Sequence, residues 1–427
     1  MNFRKFISAI SIFITLNIPV FSQTVNIIDL FSCIESGTRN HPLHLNFGVL
    51  DQSLETQHKI ADAAAYPGIS WNTTAKAQSE SISLEFDNPM LPSFEVPFYS
   101  FNSALELNYV VYDGGYKQQL KATQSAANKT QKQQLAVEID QVKSQIVQLY
   151  LSVLLLDEKD KILRLNLEKI LDNRKLVESL VKHGVADKNM VLQWEVKEME
   201  LNNQIESNQK DRLAQIKHLE SVARITIPAG ASFQTPDFAE SLFNGKALRK
   251  ELMLLDMQKA QMETQSKLLE TGSKPKVFVF GTAGVGYPNP LNFFDDQFAL
   301  YAIGGVGVSW KFYDWNKRKK EQQVIKFQQN MIDNQQNLLN DIFSQQDEKH
   351  QVLVQKYEDL IRQQAAINIK MEEIAMIQKS KMENGTQLPI EFLRSMNDFL
   401  EGQLKLSQYR LELVRVKTEF LLMKGKL

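Results

Sequence analysis

An internal disulfide is ruled out at once, because the 427-residue chain holds a single cysteine, Cys33. Charge of one sign is lacking as well: 49 lysines and arginines face 50 aspartates and glutamates, which leaves no support for nucleic-acid binding and its clustered basic footprint. Glycine and proline are few, 18 and 12, and sit mostly in a handful of patches, so long stretches contain nothing to break a helix. Apolar runs of ~20 residues, the length a membrane-spanning helix needs, are missing too. What fills the space is Gln, Leu, Lys and Glu in two long tracts, the composition of extended helices more than of compact domains.

The one sizeable apolar run lies at the start. Arg4 and Lys5 precede Phe6 to Leu16, and Val20-Phe21-Ser22 supplies tolerated residues for cleavage after Ser22. Residues 1–22 are expected to be a secretory signal peptide, outside the fold. Cys33 has two readings. Leu30-Phe31-Ser32-Cys33 resembles a lipoprotein cleavage box, which would make Cys33 an acylated anchor. Asp29, the mixed residues before the box and the bulk of Phe31 argue instead for a cysteine buried in a helix.

One pattern is written twice. "YVVYDGGYKQQL" (Tyr109 to Leu120) lines up with "WKFYDWNKRKKE" (Trp310 to Glu321) at an offset of 201 residues, pairing Tyr112 with Tyr313 and Asp113 with Asp314. The same offset pairs "HGVADKNMVL" (His183 to Leu192) with "NGTQLPIEFL" (Asn384 to Leu393), matching Gly184 with Gly385. Upstream, Pro42 aligns with Lys250 and Pro67 with Pro275 at an offset of 208, so the length difference falls in the hairpins between. Two anchors at one spacing mark an internal duplication. The expected first repeat covers 23–226, with a helix, a β-hairpin at about 69–112, a long helix at 116–183 and a return helix at 187–224. A linker with Pro and Gly follows at 227–244. The second repeat covers 245–427, with a helix, a hairpin at about 277–313, a long helix at 317–383 and a return helix at 389–425.

In the first long helix the apolar positions run Leu135, Ile139, Val142, Ile146, Leu149, Val153, Leu156, then Leu163, Leu167, Ile170, Val177 and Val181, interrupted at Asp160 and Arg174. Steps of three and four hold one seam against a neighbour and imply left-handed supercoiling. The second helix repeats this less cleanly in Leu353, Tyr357, Leu360, Ile367, Met371 and Ile374, with Gln364 breaking the seam. With no proline between Tyr116 and His183, such a helix reaches roughly 100 Å.

The strands decide against a plain stalk. Tyr99, Phe101, Leu105, Leu107, Tyr109 and Val111 alternate with Asn102, Glu106 and Asn108, and Leu300, Ala302, Val306, Val308, Trp310 and Phe312 alternate with Gly305, Gly307, Ser309 and Lys311. A period of two with one greasy face is what a lipid-facing barrel strand requires. Aromatics crowd the helix-proximal ends as an interface girdle: Trp71, Tyr109, Tyr112, Phe278, Trp310, Phe312, Tyr313 and Trp315. Four strands cannot close a barrel and open edges cannot sit in lipid, so several copies must share one.

The chain then resembles the TolC-like outer-membrane efflux proteins, the outer membrane factors. The likeness is carried by the signal peptide, by "CIESGTRNHPLH" and "RKELMLLD" opening the halves, by "VVYDGG" and "KFYDWN" closing the hairpins, and by the turns at Gly184 and Gly385. It implies a mainly α protein with transmembrane β. Three copies would pool four strands each into a 12-stranded barrel in the outer membrane of a Gram-negative bacterium, above a periplasmic α-helical barrel of coiled-coil helices. It further implies an exit duct of a tripartite efflux or type I secretion system, a homotrimer working with a periplasmic adaptor (membrane fusion) protein and an inner-membrane pump, without cofactor or metal.

By the same resemblance, Gly184, Val185, Ala186, Gly385 and Thr386 occupy the adaptor-docking turns. Glu391 stands where an acidic constriction is expected, with Arg394, Met190, Gln387 and Met382 at positions where such a gate carries other side chains, which implies a differently latched, less cation-selective tip. The rival reading is a periplasmic coiled-coil adaptor or scaffold with no channel. His41 and His44, the glycine-rich "GTAGVG" (Gly281 to Gly286) and the Asp295–Asp296 pair lack the partners of a metal, phosphate or catalytic site, so no enzyme is expected.

Overall fold

The computed structural model describes residues 27–84, 94–184, 187–243, 247–292 and 295–427. The expected signal peptide and the turn residues Val185 and Ala186 lie outside them. Helices α1 (Leu30–Arg39) and α2 (Pro42–Ala63) lead to strands β1 (Gly68–Ala77) and β2 (Tyr99–Tyr112), then to α3 (Tyr116–Lys182) and α4 (Lys188–Ala223). The order recurs as α5 (Lys250–Thr271), β3 (Lys276–Tyr287), β4 (Ala299–Ser309), α6 (Lys317–Glu383) and α7 (Pro389–Met423). The four strands form one antiparallel sheet in the order β1-β2-β3-β4. The whole is mainly helical, with α3 and α6 each 67 residues long.

The apolar seam of α3 explains its length. Ile139 is buried, Val142, Ile146, Leu149 and Val153 are buried in a first cluster with α1, α4 and Leu411 of α7, and Leu163, Ile170 and Val177 in a second with Trp194, Leu201 and Phe392. Burying such side chains stabilises by about 1.5–3 kcal/mol each, which a helix of this length needs because local propensity alone is marginal. At the interruption Asp160 pairs with Arg164 of its own helix (2.6 Å), neighbouring Asp157 pairs with Arg212 of α4, and at Arg174 the guanidinium lies 2.5 Å from Glu198 of α4.

In α6 the expected seam is shifted. Ile367 and Ile374 are exposed, whereas Gln364 and Asn368 are buried. Gln364 donates to Asn368 (2.9 Å) and Asn368 to the Gly402 carbonyl of α7 (3.0 Å), so this helix pair is joined by a satisfied polar layer where the apolar rule expected a break. Asn166 of α3 likewise donates to Gln403 of α7 (3.0 Å), and Asn208 of α4 to the Leu156 carbonyl of α3 (2.8 Å).

Each hairpin enters its long helix through the same backbone bend. Gly114 and Gly115 are left-handed (φ 70° and 84°), and so are Trp315 and Asn316 (φ 53° and 59°). The aspartate before each bend caps the helix: Asp113 accepts from the Gly115 and Lys117 amides (2.8 and 2.7 Å), and Asp314 from the Arg318 amide (3.1 Å). The repeated motif is thus a bend with its own cap.

The stretch read as a linker is in part core. Ile227 and Ala231 are buried, Ser232–Phe233 pairs in parallel with Ile27–Ile28, and the Tyr150 hydroxyl lies 2.8 and 2.7 Å from the Ile28 and Gln234 carbonyl oxygens.

Candidate functional site

The register sorts the sheet into two chemically distinct faces. Ile69, Trp71, Leu105, Leu107, Tyr109, Val279, Val285, Leu300, Val306 and Val308 share one side. On that side Leu300 is 87% exposed, Trp71 74% and Val306 70%. The other side carries Ser70, Asn72, Lys76, Asn102, Glu106, Asn108 and Thr282, with Tyr301 donating across to Asn102 (2.8 Å). Both edge strands, β1 and β4, have a free side among the described residues. No helix among them is long and apolar enough to cross a membrane.

The girdle aromatics are placed unequally. Tyr109 lies on the apolar face by register, opposite Val279, and a bulge between Val110 and Tyr112 shifts the phase so that Tyr112 joins it, opposite Val277. Trp71 lies on this face too and donates to Ser103 (2.9 Å). The second hairpin's last strand ends at Ser309, short of the expected 313: its partner β3 starts at Lys276, and Pro275 before it has no amide to extend the ladder. Trp310, Phe312, Tyr313 and Trp315 therefore follow the strand as an exposed aromatic run, in which Trp310 donates to the Ser273 carbonyl (3.0 Å). Phe278 departs from the expectation altogether, since its register puts it on the polar face.

At the opposite end of the long helices, α3 and α6 each stop at a left-handed glycine, Gly184 (φ 77°) and Gly385 (φ 68°), both exposed. At the second stop the Gly385 amide donates to Met382 O (3.0 Å) and the Thr386 amide to Lys381 O (2.9 Å), closing the helix end. Asp187 caps α4 by accepting from the Asn189 amide (3.2 Å).

Met382, expected at a constriction, is 1% exposed and packs in the core with Trp194 and Phe392. It belongs to the interior because the α6 face carrying it is the one laid against α7, where Phe392, Leu393 and Met396 close over it. Met190 packs against the same cluster, and Gln387 is half-buried beside Leu388 and Pro389. Glu391, in the first turn of α7, lies 3.3 Å from Arg394, one turn on, so its charge is paired within its own helix. Arg394 is expected at the tip beside Glu391, and their spacing of three is what lets the two side chains meet on one helix face.

Cys33 is fully buried in α1, and burial with the nearby Asp29 charge pushes its thiol up to about 11. A thiol so placed has no room for an acyl chain, which favours the buried-cysteine reading. His41 caps α2 by accepting from the Leu43 amide (3.2 Å), His44 packs edge-on against Phe47, and Asp295 accepts from Asn289 (2.9 Å). Among the described residues no three His, Cys, Asp or Glu converge as metal ligands. A surface groove of about 1030 Å³, walled by Phe238, His350, Glu358, Arg362 and Lys417, lies beside α6 and α7 and gathers no catalytic constellation.

No protein-family profile matches the chain, and no curated protein matches its sequence. Solved structures do. The outer membrane protein VceC from the bacterial pathogen Vibrio cholerae aligns over 93% of this chain and 95% of its own, with 12% identity and a TM-score of 0.67. The open-state MtrE outer membrane channel of Neisseria gonorrhoeae aligns over 93% and 88%, with 10% identity and a TM-score of 0.65. The CmeC outer membrane channel of Campylobacter jejuni aligns over 93% and 86%, with 13% identity and a TM-score of 0.61. The chain thus has the outer-membrane factor fold, that of the TolC-like channels.

Proposed function

We propose that the protein is the outer-membrane exit duct of a tripartite efflux or type I secretion system. Three copies pool their strands into a 12-stranded barrel in the outer membrane, and their helices form a tube in the periplasm. The observation that carries this reading is the sheet: one exposed face is apolar while both edges are unpaired among the described residues. Each unpaired backbone group left in lipid costs several kcal/mol, so only closure with further copies makes such a face tolerable in a membrane. The fold likeness to outer membrane channels supports the same assignment. The duct is passive: cargo is driven by an inner-membrane pump and delivered through a periplasmic adaptor that docks on the turns at Gly184, Val185 and Ala186 and at Gly385 and Thr386.

At the tip, Glu391 faces the passage with its charge compensated by Arg394, so the pore is only weakly cation-selective. Fractionation and planar-bilayer recording test this together. The protein should be recovered from outer membranes as a heat-resistant trimer that forms pores, and Arg394→Ala should raise cation selectivity more than Glu391→Ala lowers it. A soluble monomer with intact β content would end the duct reading, and pores whose selectivity ignores both substitutions would remove the tip assignment alone.

A further inference from the structure

Two phenylalanines sit where the duct reading, on which this inference rests, has least use for them. Phe278 and Phe280 project from the polar face of β3, opposite Gly307 and Gly305 of β4. A Cβ on Gly305 would come within 2.7 Å of the Phe280 ring, and one on Gly307 within 2.7 and 2.9 Å of two Phe278 ring atoms. Each ring therefore lies flat across the neighbouring strand, in the space its glycine vacates. The two ring centroids are 6.3 Å apart with their planes inclined by 40°, so they form one bent aromatic surface, and Phe280 remains 37% exposed.

On the same face Asn108 is opposite Phe280 and Glu106 opposite Thr282, which places Glu106 one same-face step along, about 7 Å. Glu106 has no ion-pair partner among the described residues. An aromatic patch turned to water forgoes the stabilisation that the lipid side would give it. Ring faces attract cations, and an unpaired carboxylate beside them adds to that attraction.

We propose that Phe278, Phe280 and Glu106 form a cargo-contact band inside the barrel at its helix-proximal end, selective for aromatic cations, and that Gly305 and Gly307 keep its rings flat so that the bore stays open. Repeated in three copies, the band presents six rings and three carboxylates to the passage.

The test uses the full-length protein in planar bilayers, with tetraphenylphosphonium as the probe and tetraphenylborate as its anionic counterpart of the same shape. Tetraphenylphosphonium should block at far lower concentration than tetraphenylborate. Phe278→Leu with Phe280→Leu, which keeps apolar volume, should raise the half-blocking concentration about tenfold, and Glu106→Gln several-fold. Gly305→Ala with Gly307→Ala should lift the rings into the bore and lower unitary conductance.

Because Cys33 is fully buried, a cysteine introduced elsewhere can be labelled alone. Phe280→Cys should react with a charged, water-soluble maleimide and Val279→Cys, on the apolar face, should not. Open pores whose block is the same with and without the rings, or that neither ion blocks, would overturn the band while leaving the duct standing. Failure of the unaltered protein to form pores would remove both.

Discussion

Replacing Gly402 by alanine tests whether the polar layer between α6 and α7 holds the two helices together. In a solvent-facing helix this change gains about 1 kcal/mol, because glycine is the poorer helix former. At this position the added methyl would land on Asn368 Oδ1, with Asn368 Cγ at 3.3 Å and Met371 Sδ at 3.1 Å. The Asn368 side chain must then move, and moving it breaks its bonds to the Gly402 carbonyl and to Gln364. Each buried polar group left unpaired costs about 1–3 kcal/mol, so for two such groups, after the propensity gain of about 1 kcal/mol, a net loss of ~1–5 kcal/mol is expected.

Thermal unfolding followed by far-ultraviolet circular dichroism, at fixed protein concentration and scan rate, is the assay. Asn368→Ala should lower the midpoint by itself. Adding Gly402→Ala to it should cost nothing further, since the group that was struck has gone. A Gly402→Ala protein melting at or above the parent, or a double variant in which the two losses simply add, would refute the reasoning.

Two further outcomes follow from local geometry. Cys33 should resist thiol reagents in the native protein and react fully once the chain is unfolded, because burial both hides the thiol and raises it to about 11; brisk native labelling would contradict the packing of α1. At Asp113, partial burial pushes the carboxyl up, but the amides of Lys117, Gly115 and Tyr116 outweigh it and hold the group below its ordinary value of 3.8. Its stabilisation is complete above that ordinary value and is lost as pH falls through the folded-state one, so Asp113→Ala should cost ~0.5–2 kcal/mol at neutral pH and little in strong acid. A penalty independent of pH would show that the capping carboxylate is not its source.

The coarse architecture was legible because two periodicities are strong in the sequence. The α3 seam from Ile139 to Val177 is buried largely as its spacing implies, and the alternation from Tyr99 to Tyr109 coincides with β2.

What could not be read was pairing across elements. Gln364 looks like a fault in a seam until its partners Asn368 and Gly402 are adjacent in space. Phe278 reads as one more aromatic until the register decides its face, and a one-residue shift reverses every side chain. Met382 stands near a turn in sequence yet inside the core in space, because helix phase and not proximity to the turn settles burial. The Asp113 and Asp314 caps had a signal in the repeated motif, but its meaning needed the left-handed residues that follow.

Those left-handed residues carry a last consequence. One corner is made of two glycines that hold the shape at little cost, while its counterpart forces the same shape on Trp315 and Asn316, a conformation costing of order 1–3 kcal/mol per residue. In exchange, the Trp315 indole is thrust outward beside Tyr313, with ring centroids 4.9 Å apart. In the proposed ring of three copies six such elbows would alternate, three built on glycine and three each adding an exposed indole to the aromatics at the helix-proximal end of the strands.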